Sequence, residues 1–165
     1  MMISEKMASR LNEQVRNEFF AYWSYLAMAF AFEDMGLKVF AKWFYAQATE
    51  EQGHAMKISN YLLDQGAAVK LVDLPAPKTD FGSALEIVEA ALQHELNVTK
   101  QVHEIADLAI AENDHATRQF IDWKVEEQVE EVSSSQELVQ LVKMAAAPGQ
   151  LFILEGRLYH MRKLD

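Results

Sequence analysis

Residues 50–54 read Glu-Glu-Gln-Gly-His and lie in the middle of a long run of good helix formers. Glu51 and His54 are three positions apart, so on an α-helix they project from one face, one turn apart. The rest of that face is apolar, with large side chains every three or four residues: Phe40, Phe44, Ile58, Tyr61 and Leu62. A carboxylate and an imidazole inside an apolar stripe need a partner, because an unpaired buried charge is very costly. We therefore expect the rest of the chain to supply one.

The composition predicts one globular domain. The chain has 165 residues, half of them hydrophobic, which is enough for one domain with a core of its own. The formal net charge of −10 argues against nucleic acid or an anionic membrane as main partner, and it suits the attraction of cations. The absence of cysteine excludes disulfides and thiolate metal sites. No apolar run resembles a signal peptide or a membrane span, so we expect a cytoplasmic protein.

The pattern along the chain predicts an all-α fold, since no segment alternates with a period of two. We expect one domain over residues 1–165, with helices at about 4–34, 38–65, 82–111, 115–147 and 150–161. Two tight turns make two helical hairpins. The connection over 67–80 could span roughly 46 Å when extended, whereas a helix of about 28 residues is about 42 Å long. It can therefore run the length of a four-helix bundle and leave the second and third helices parallel.

Polar residues interrupt the inward stripe of each long helix, and their spacing repeats. Thirty-three residues separate Glu18 from Glu51, and thirty-three separate Glu95 from Gln128, with each interval centred on a tight turn. Each pair therefore lies at one level of its hairpin. An offset of 77 residues also relates the two hairpins, mapping Glu18 onto Glu95, Glu50 onto Glu127, Glu51 onto Gln128 and His54 onto Glu131.

Four acids and a histidine that meet at one level inside a bundle form the arrangement of a carboxylate-bridged two-metal site. Carboxylates are hard ligands that can bridge, and one imidazole per pair of ions suits iron or manganese better than zinc. Without a metal, these acids would repel one another in a low-dielectric interior. Taken singly, each has an ordinary explanation: Glu18 and Glu95 as solvated helix residues, His54 as a satisfied core histidine.

Four motifs carry a family resemblance: Asn17-Glu18 with Tyr25 seven residues later, residues 50–55, Glu95, and Trp123 followed by residues 126–131. On these motifs the chain resembles the bacterial-type non-haem ferritins, of the ferritin-like di-iron carboxylate family, over essentially its whole length. The resemblance implies a ferritin-like four-helix bundle with a long crossover and a short fifth helix. It also implies a ferroxidase centre and a homo-oligomeric shell of 24 subunits.

The resemblance also implies the residues of the iron sites. The implied ligands of the two-iron centre are Glu18, Glu51, His54, Glu95 and Glu131, with Gln128 close by. The implied ligands of a third iron site are Glu50, Glu127, Glu130 and Glu131. Tyr25 and Trp123 match the family's redox-active aromatics. Bacterioferritins carry a second Glu-x-x-His motif and a haem-binding methionine, but this chain has Gln128-x-x-Glu131 and Gln52 there, so we expect no haem.

The predicted function is iron storage and detoxification. Fe(II) would be oxidised by dioxygen or hydrogen peroxide at the two-iron centre and stored as a ferric oxyhydroxide mineral inside the shell. The last segment, 151–161, would pack near the four-fold axes or fold back on its own bundle. Two alternatives stay open: an oxidase or catalase that uses the same ligands without storing metal, and a structural helical bundle without metal.

Overall fold

A computed structural model describes residues 2–147 and 149–162. These residues form five α-helices and no strand: α1 (Glu5–Asp34), α2 (Lys38–Asp64), α3 (Ala84–Ala111), α4 (His115–Met144) and α5 (Gln150–Arg162). The all-α fold of four long helices and a short fifth is therefore confirmed. Both predicted limits of the domain, residues 1 and 165, lie outside the described residues. Across the described chain, no helix combines the length and the apolar character that crossing a membrane requires.

Side chains of the sequence set the helix starts. Ser83 accepts a hydrogen bond from the backbone N–H of Glu86, and it caps α3 two residues later than expected. Ser4 and Asp114 cap α1 and α4 in the same way. The start of α2 has no such cap. Instead, the Glu155 carboxylate of α5 accepts from the N–H groups of Val39 and Phe40, at 2.6 and 3.2 Å.

The connection between α2 and α3 runs along α1. It starts beside Asn12, whose side chain bonds the carbonyl of Ala68 and the N–H of Lys70 at 3.0 and 2.6 Å. Near its end, Pro77 and Thr79 line a groove together with residues 26–34 of α1. As a result, α3 starts at the end of the bundle where α1 finishes and runs parallel to α2. In this arrangement α1 packs on α2, α3 packs on α4, and α1 also contacts α3.

Two apolar clusters form the core, one towards each end of the bundle. The first is built around Phe32 and Phe40, whose rings stack at 4.8 Å, and it includes Leu154 and Leu158 of α5. In this way α5 folds back on its own bundle. The main members of the second cluster are Leu11, Val15, Ile58, Leu62, Val102, Ile105 and Ile121. Between the clusters lies a buried polar layer, to which every long helix contributes: Glu18, Glu51, His54, Glu95, Lys124 and Gln128.

Candidate metal centre

Three residues of the α1–α2 hairpin meet in the polar layer. Glu18, Glu51 and His54 are all buried, and each offers a ligand atom within 4.8 Å of the other two. His54 Nδ1 lies 3.0 Å from Glu51 Oε2 and 3.7 Å from Glu18 Oε2. In the part of the chain that the structure describes, no other group of three acids, histidines or cysteines meets so closely. We call these three residues the triad.

Amide side chains one helical turn before the glutamates hold them in place. Gln14 Nε2 donates to Glu18 Oε1 at 2.7 Å. Gln47 Nε2 lies 3.4 Å from Glu51 Oε1 and donates to Glu131 Oε2 at 3.0 Å, so it links the triad to α4. These contacts orient Oε1 of Glu18, Oε1 of Glu51 and Oε2 of Glu131. By contrast, Glu18 Oε2 is buried and has no hydrogen-bond partner.

The other half of the predicted centre is held by different donors. Glu95 is fully buried and accepts a hydrogen bond from the Tyr25 hydroxyl through Oε1. Gln128 Nε2 donates to Glu95 Oε2 at 3.1 Å and lies 3.2 Å from Thr99 Oγ1. Gln128 Oε1 is buried and, like Glu18 Oε2, lacks a hydrogen-bond partner. Glu95 and Gln128 therefore lie in the polar layer, and the hydrogen-bond donors to the Glu95 carboxylate are neutral.

Lys124 is the residue in the layer that the sequence analysis missed. Its side chain is 0% exposed, and its ammonium lies 2.8 Å from His54 Nδ1 and 3.2 Å from Glu127 Oε2. It also lies 3.9 Å from Oε2 of both Glu18 and Glu51. The expectation that the acids repel one another without a metal was therefore incomplete, because a cation of the chain already stands among them.

The signal for these supporting residues was available in the sequence. Each stands four positions from a predicted ligand on the same helix, which places it on the same face. The pairs are Gln14 with Glu18, Gln47 with Glu51, Thr99 with Glu95, and Lys124 with Gln128. The signal for Lys124 is ambiguous, because the long side chain of a lysine on an inward face can also carry its charge to solvent.

The neighbours of His54 favour opposite protonation states of its ring. The carboxylates favour a proton on Nδ1, and the Lys124 ammonium opposes it. Burial opposes the charged ring, but the neighbouring carboxylates of Glu127, Glu18 and Glu51 outweigh it and raise the pKa of His54 to about 11. The Lys124 ammonium at 2.8 Å pulls the other way, because a proton on Nδ1 would point at a second cation. With the ammonium in this position, we assign the neutral ring: Nδ1 accepts from Lys124, and the Nε2–H donates to Glu127 Oε2 at 3.0 Å.

The carboxyl groups of the layer fall into two electrostatic classes. Burial alone would raise the pKa of Glu18, but the Lys124 charge and hydrogen bonds from its neighbours lower it. Burial raises the pKa of Glu51, and the positive charge of Lys124 only partly offsets this. Burial, with the charges of Glu95 and Glu50, raises the pKa of Glu131 to about 7. Because their pKa values are raised, these two carboxyl groups keep a proton more readily than Glu18 does.

The residues of the predicted third site differ in exposure and in their contacts. Glu127, about one-third exposed, turns towards the triad and pairs with His54 and Lys124. Glu50 and Glu130 are exposed, and Glu131 accepts from Gln47. Beside the layer, the Trp123 ring lies 5.3 Å from the His54 ring, with the Lys57 ammonium 3.6 Å from the Trp123 centroid.

Comparisons with known proteins agree on one family. A model described as Ferritin-like domain matches residues 8–145. A bacterial non-heme ferritin of Bacteroides fragilis (strain 638R) is 39% identical over 152 residues, which cover 92% of this chain and 96% of the relative. One from Staphylococcus saprophyticus is 40% identical over 130 residues, 79% of this chain and 78% of the relative. The solved structure of a novel open pore ferritin from the hyperthermophilic archaeon Archaeoglobus fulgidus matches with a TM-score of 0.92 and 38% identity, over 95% of this chain and 96% of its own.

Proposed function

Because this chain belongs to the ferritin-like family, we propose that it takes up Fe(II), oxidises it in the polar layer and stores the ferric product. Iron is then substrate and cargo. The family match confirms the resemblance predicted from the sequence. The site residues, the number of iron ions and the absence of haem remain predictions, and so does the cytoplasmic location.

The observation that carries the proposal is the buried triad, together with two buried oxygens of the polar layer that lack a hydrogen-bond partner. Glu18, Glu51 and His54 each offer a ligand atom within 4.8 Å of the other two, a spacing that suits one shared ion. Two buried acceptors, Glu18 Oε2 and Gln128 Oε1, lack a donor. A buried polar atom without a partner is costly, and a cation would relieve that cost. Because the donors are carboxylate, amide and imidazole, the set suits iron.

In the proposed reaction, Glu18, Glu51 and His54 hold the first Fe(II), while Glu51 also reaches the second. Glu95 and Glu131 complete the second position, with Gln128 beside them. Each Fe(II) gives one electron to dioxygen, which takes up two protons and leaves as hydrogen peroxide. Gln47 orients Glu51 and Glu131 together, because its amide contacts both.

Oxidised iron would leave through the acidic side of the layer. The family-based third site would use Glu50, Glu127, Glu130 and Glu131. Of these, Glu127 contacts the triad, while Glu50 and Glu130 are exposed, so the four could form a path from the centre towards solvent. Carboxylates suit such a path because they bind iron without the permanence of thiolate ligands.

Storage requires a shell, for which we propose 24 subunits. An apolar surface along α1 and the crossover supports an assembly: Trp23, Phe30, Leu71 and Val72 are each more than half exposed. Phe152 and Ile153 of α5 are also exposed, although α5 is anchored by Leu154 and Leu158. Exposed apolar patches of this kind mark interaction surfaces.

One experiment tests oxidation and storage together. Fe(II) is added in air at many ions per chain, and the particle is then sized and its iron measured. We expect fast oxidation with the iron retained in a large soluble particle. Oxidation without retention would identify a non-storing oxidase. Precipitation at the uncatalysed rate, or a particle of single-chain mass, would contradict the proposal.

Lys124 favours a second candidate, the structural bundle without metal. Its ammonium compensates the acids of the triad with no ion present. In that case the polar layer would specify packing alone, and removal of His54 would leave iron handling unchanged. The same iron-loading experiment separates the two, because this candidate predicts no protein-dependent oxidation.

A further inference from the structure

The Lys124 ammonium lies where an ion bound by the triad would lie. It is within 2.8 to 3.9 Å of one atom from each of the three residues. The position of a cation inside the triad is therefore already filled by a side chain of the same protein. A buried lysine among glutamates is expensive to build, since replacing such a set by apolar residues is often neutral or stabilising.

The competition with a metal ion is stereochemical as well as electrostatic. The Lys124 ammonium faces His54 Nδ1 at 2.8 Å, so in the neutral ring the single lone pair of that atom is directed at the ammonium. A metal bound at Nδ1 needs the same lone pair, with a shorter bond than this contact. The ammonium and a divalent ion therefore cannot both use His54 Nδ1.

Glu127 offers the ammonium another partner. Its Oε2 is 3.2 Å from the ammonium and is three residues further along α4, one turn away. Because Glu127 is partly exposed, a lysine that moves towards it leaves the triad and keeps an ion pair near solvent. Glu127 also accepts from His54 Nε2, which holds the ring with Nδ1 towards the triad.

We propose that Lys124 is a tethered cation that holds the first-ion position of the triad in the metal-free chain. A divalent ion binds at His54 Nδ1 after the ammonium withdraws towards Glu127. Lys124 is thus a positioning residue that lowers metal affinity at the triad and keeps its acids compensated while the site is empty. This inference rests on the proposed function in one respect, that the competing ion in use is Fe(II).

Redox-inert Co(II) tests the proposal on the chelator-treated, assembled protein. Lys124→Met removes the charge at nearly constant length, and Lys124→Gln removes it while keeping a donor. Because a positive charge among the ligands opposes a second one, we expect both variants to bind the first Co(II) about tenfold more tightly than wild type. The visible absorption of bound Co(II) should appear at correspondingly lower metal concentration.

The matched control is Lys57→Met, which removes an exposed lysine that lies over Trp123 on the neighbouring helix. It should bind Co(II) as wild type does. If Lys124 has a merely structural role, the folded Lys124 variants should bind Co(II) as tightly as wild type or more weakly. That result would overturn the proposal.

A crystal structure of the wild-type protein with Co(II) needs no variant. An ion at the triad with the Lys124 ammonium turned towards Glu127 supports the proposal. An ion there with the ammonium still bonded to His54 Nδ1 overturns it. The proposed function fails separately, since wild-type protein that oxidises Fe(II) no faster than buffer would leave the Co(II) comparison intact.

Discussion

Gln47 and Lys124 occupy equivalent positions in the two hairpins. They are 77 residues apart, and each stands four residues before an inward-facing residue of its helix. Each reaches across to the other hairpin: Gln47 Nε2 to Glu131 Oε2 at 3.0 Å, and the Lys124 ammonium to His54 Nδ1 at 2.8 Å. The repeat of the two hairpins thus sets the positions of both residues. The type of side chain determines which contacts each of them makes.

The consequence is a centre with two unlike halves. Around the triad a full positive charge compensates the acids, and the pKa of Glu18 is lowered despite burial. Around Glu95 and Glu131 the donors are neutral, namely Tyr25, Gln128 and Gln47. There the pKa of Glu131 is raised by burial and by neighbouring acids. The comparison shows that helical geometry determines where the predicted ligands lie and that single side chains determine how the charge of each half is compensated.

The largest contrast should come from the equivalent positions Glu51 and Gln128. Glu51→Ala removes a member of the triad, so we expect Fe(II) oxidation to slow by more than about 100-fold. Gln128→Ala leaves the four acids and should slow it by about tenfold. Stopped-flow absorbance of the ferric product measures both. Glu126→Ala, at an exposed position, is the control and should match wild type. An equal loss at both positions would contradict the assignment of Glu51 as the shared ligand.

The second test compares Lys124→Met with Gln47→Met in the metal-free protein. Lys124→Met leaves buried carboxylates without their cation, so we expect the free energy of unfolding to fall by about 3 kcal/mol. Gln47→Met removes neutral hydrogen bonds and should cost about 1 kcal/mol. Urea unfolding in the presence of a chelator gives both values. A larger cost at Gln47 would mean that Lys124 does not compensate the triad.

The pH dependence of stability should have opposite signs for Glu131 and Glu18, one residue from each half. The pKa of Glu131 is raised from 4.5 to about 7, so its contribution is fully present below pH 4.5 and is lost as pH rises to about 7. We expect Glu131→Gln to stabilise the metal-free protein at pH 8 by about 2 kcal/mol. The lowered pKa of Glu18 gives the reverse, a contribution present above pH 4.5 and lost in acid, so Glu18→Gln should destabilise at pH 8.

Urea unfolding at pH 4.5 and pH 8 checks this prediction for wild type and both variants. Glu126→Gln serves as the control for loss of one acidic charge at an exposed site. Shifts of the same sign for Glu131→Gln and Glu18→Gln at pH 8 would show that these two acids do not differ in charge compensation.

The smallest expected effect is that of Tyr25→Phe. The hydroxyl of Tyr25 donates to Glu95 Oε1, and burial, with the charge of Glu95, raises its pKa so that it keeps the proton. We expect Fe(II) oxidation to slow by roughly tenfold or less, because Glu95 loses an orienting donor. Tyr61→Phe is the matched control, since Tyr61 bonds Thr117 away from the polar layer. Equal rates for Tyr25→Phe and wild type would remove Tyr25 from the site.

Helix periodicity and residue spacing by themselves determined the level at which the ligands meet. A constant rise per residue places Glu18 opposite Glu51, and Glu95 opposite Gln128, once the two turns are located. The length of the connection was enough to predict that it runs along the bundle, as its contacts from Asn12 to the end of α1 show. The four-residue pairs predicted which residues share a face, though not what each side chain touches.

Tertiary packing alone decided which donor reaches which acid. Lys124 has a long flexible chain, so its sequence position is compatible with an ammonium in solvent or in the core. The packed bundle excludes water from that side chain and places its charge beside the triad and Glu127, with the Trp123 ring centroid 5.7 Å away. Likewise, α5 folds back because Leu154 and Leu158 complete an apolar cluster and Glu155 caps α2. These contacts join residues far apart in the chain, and local spacing carries no information about them.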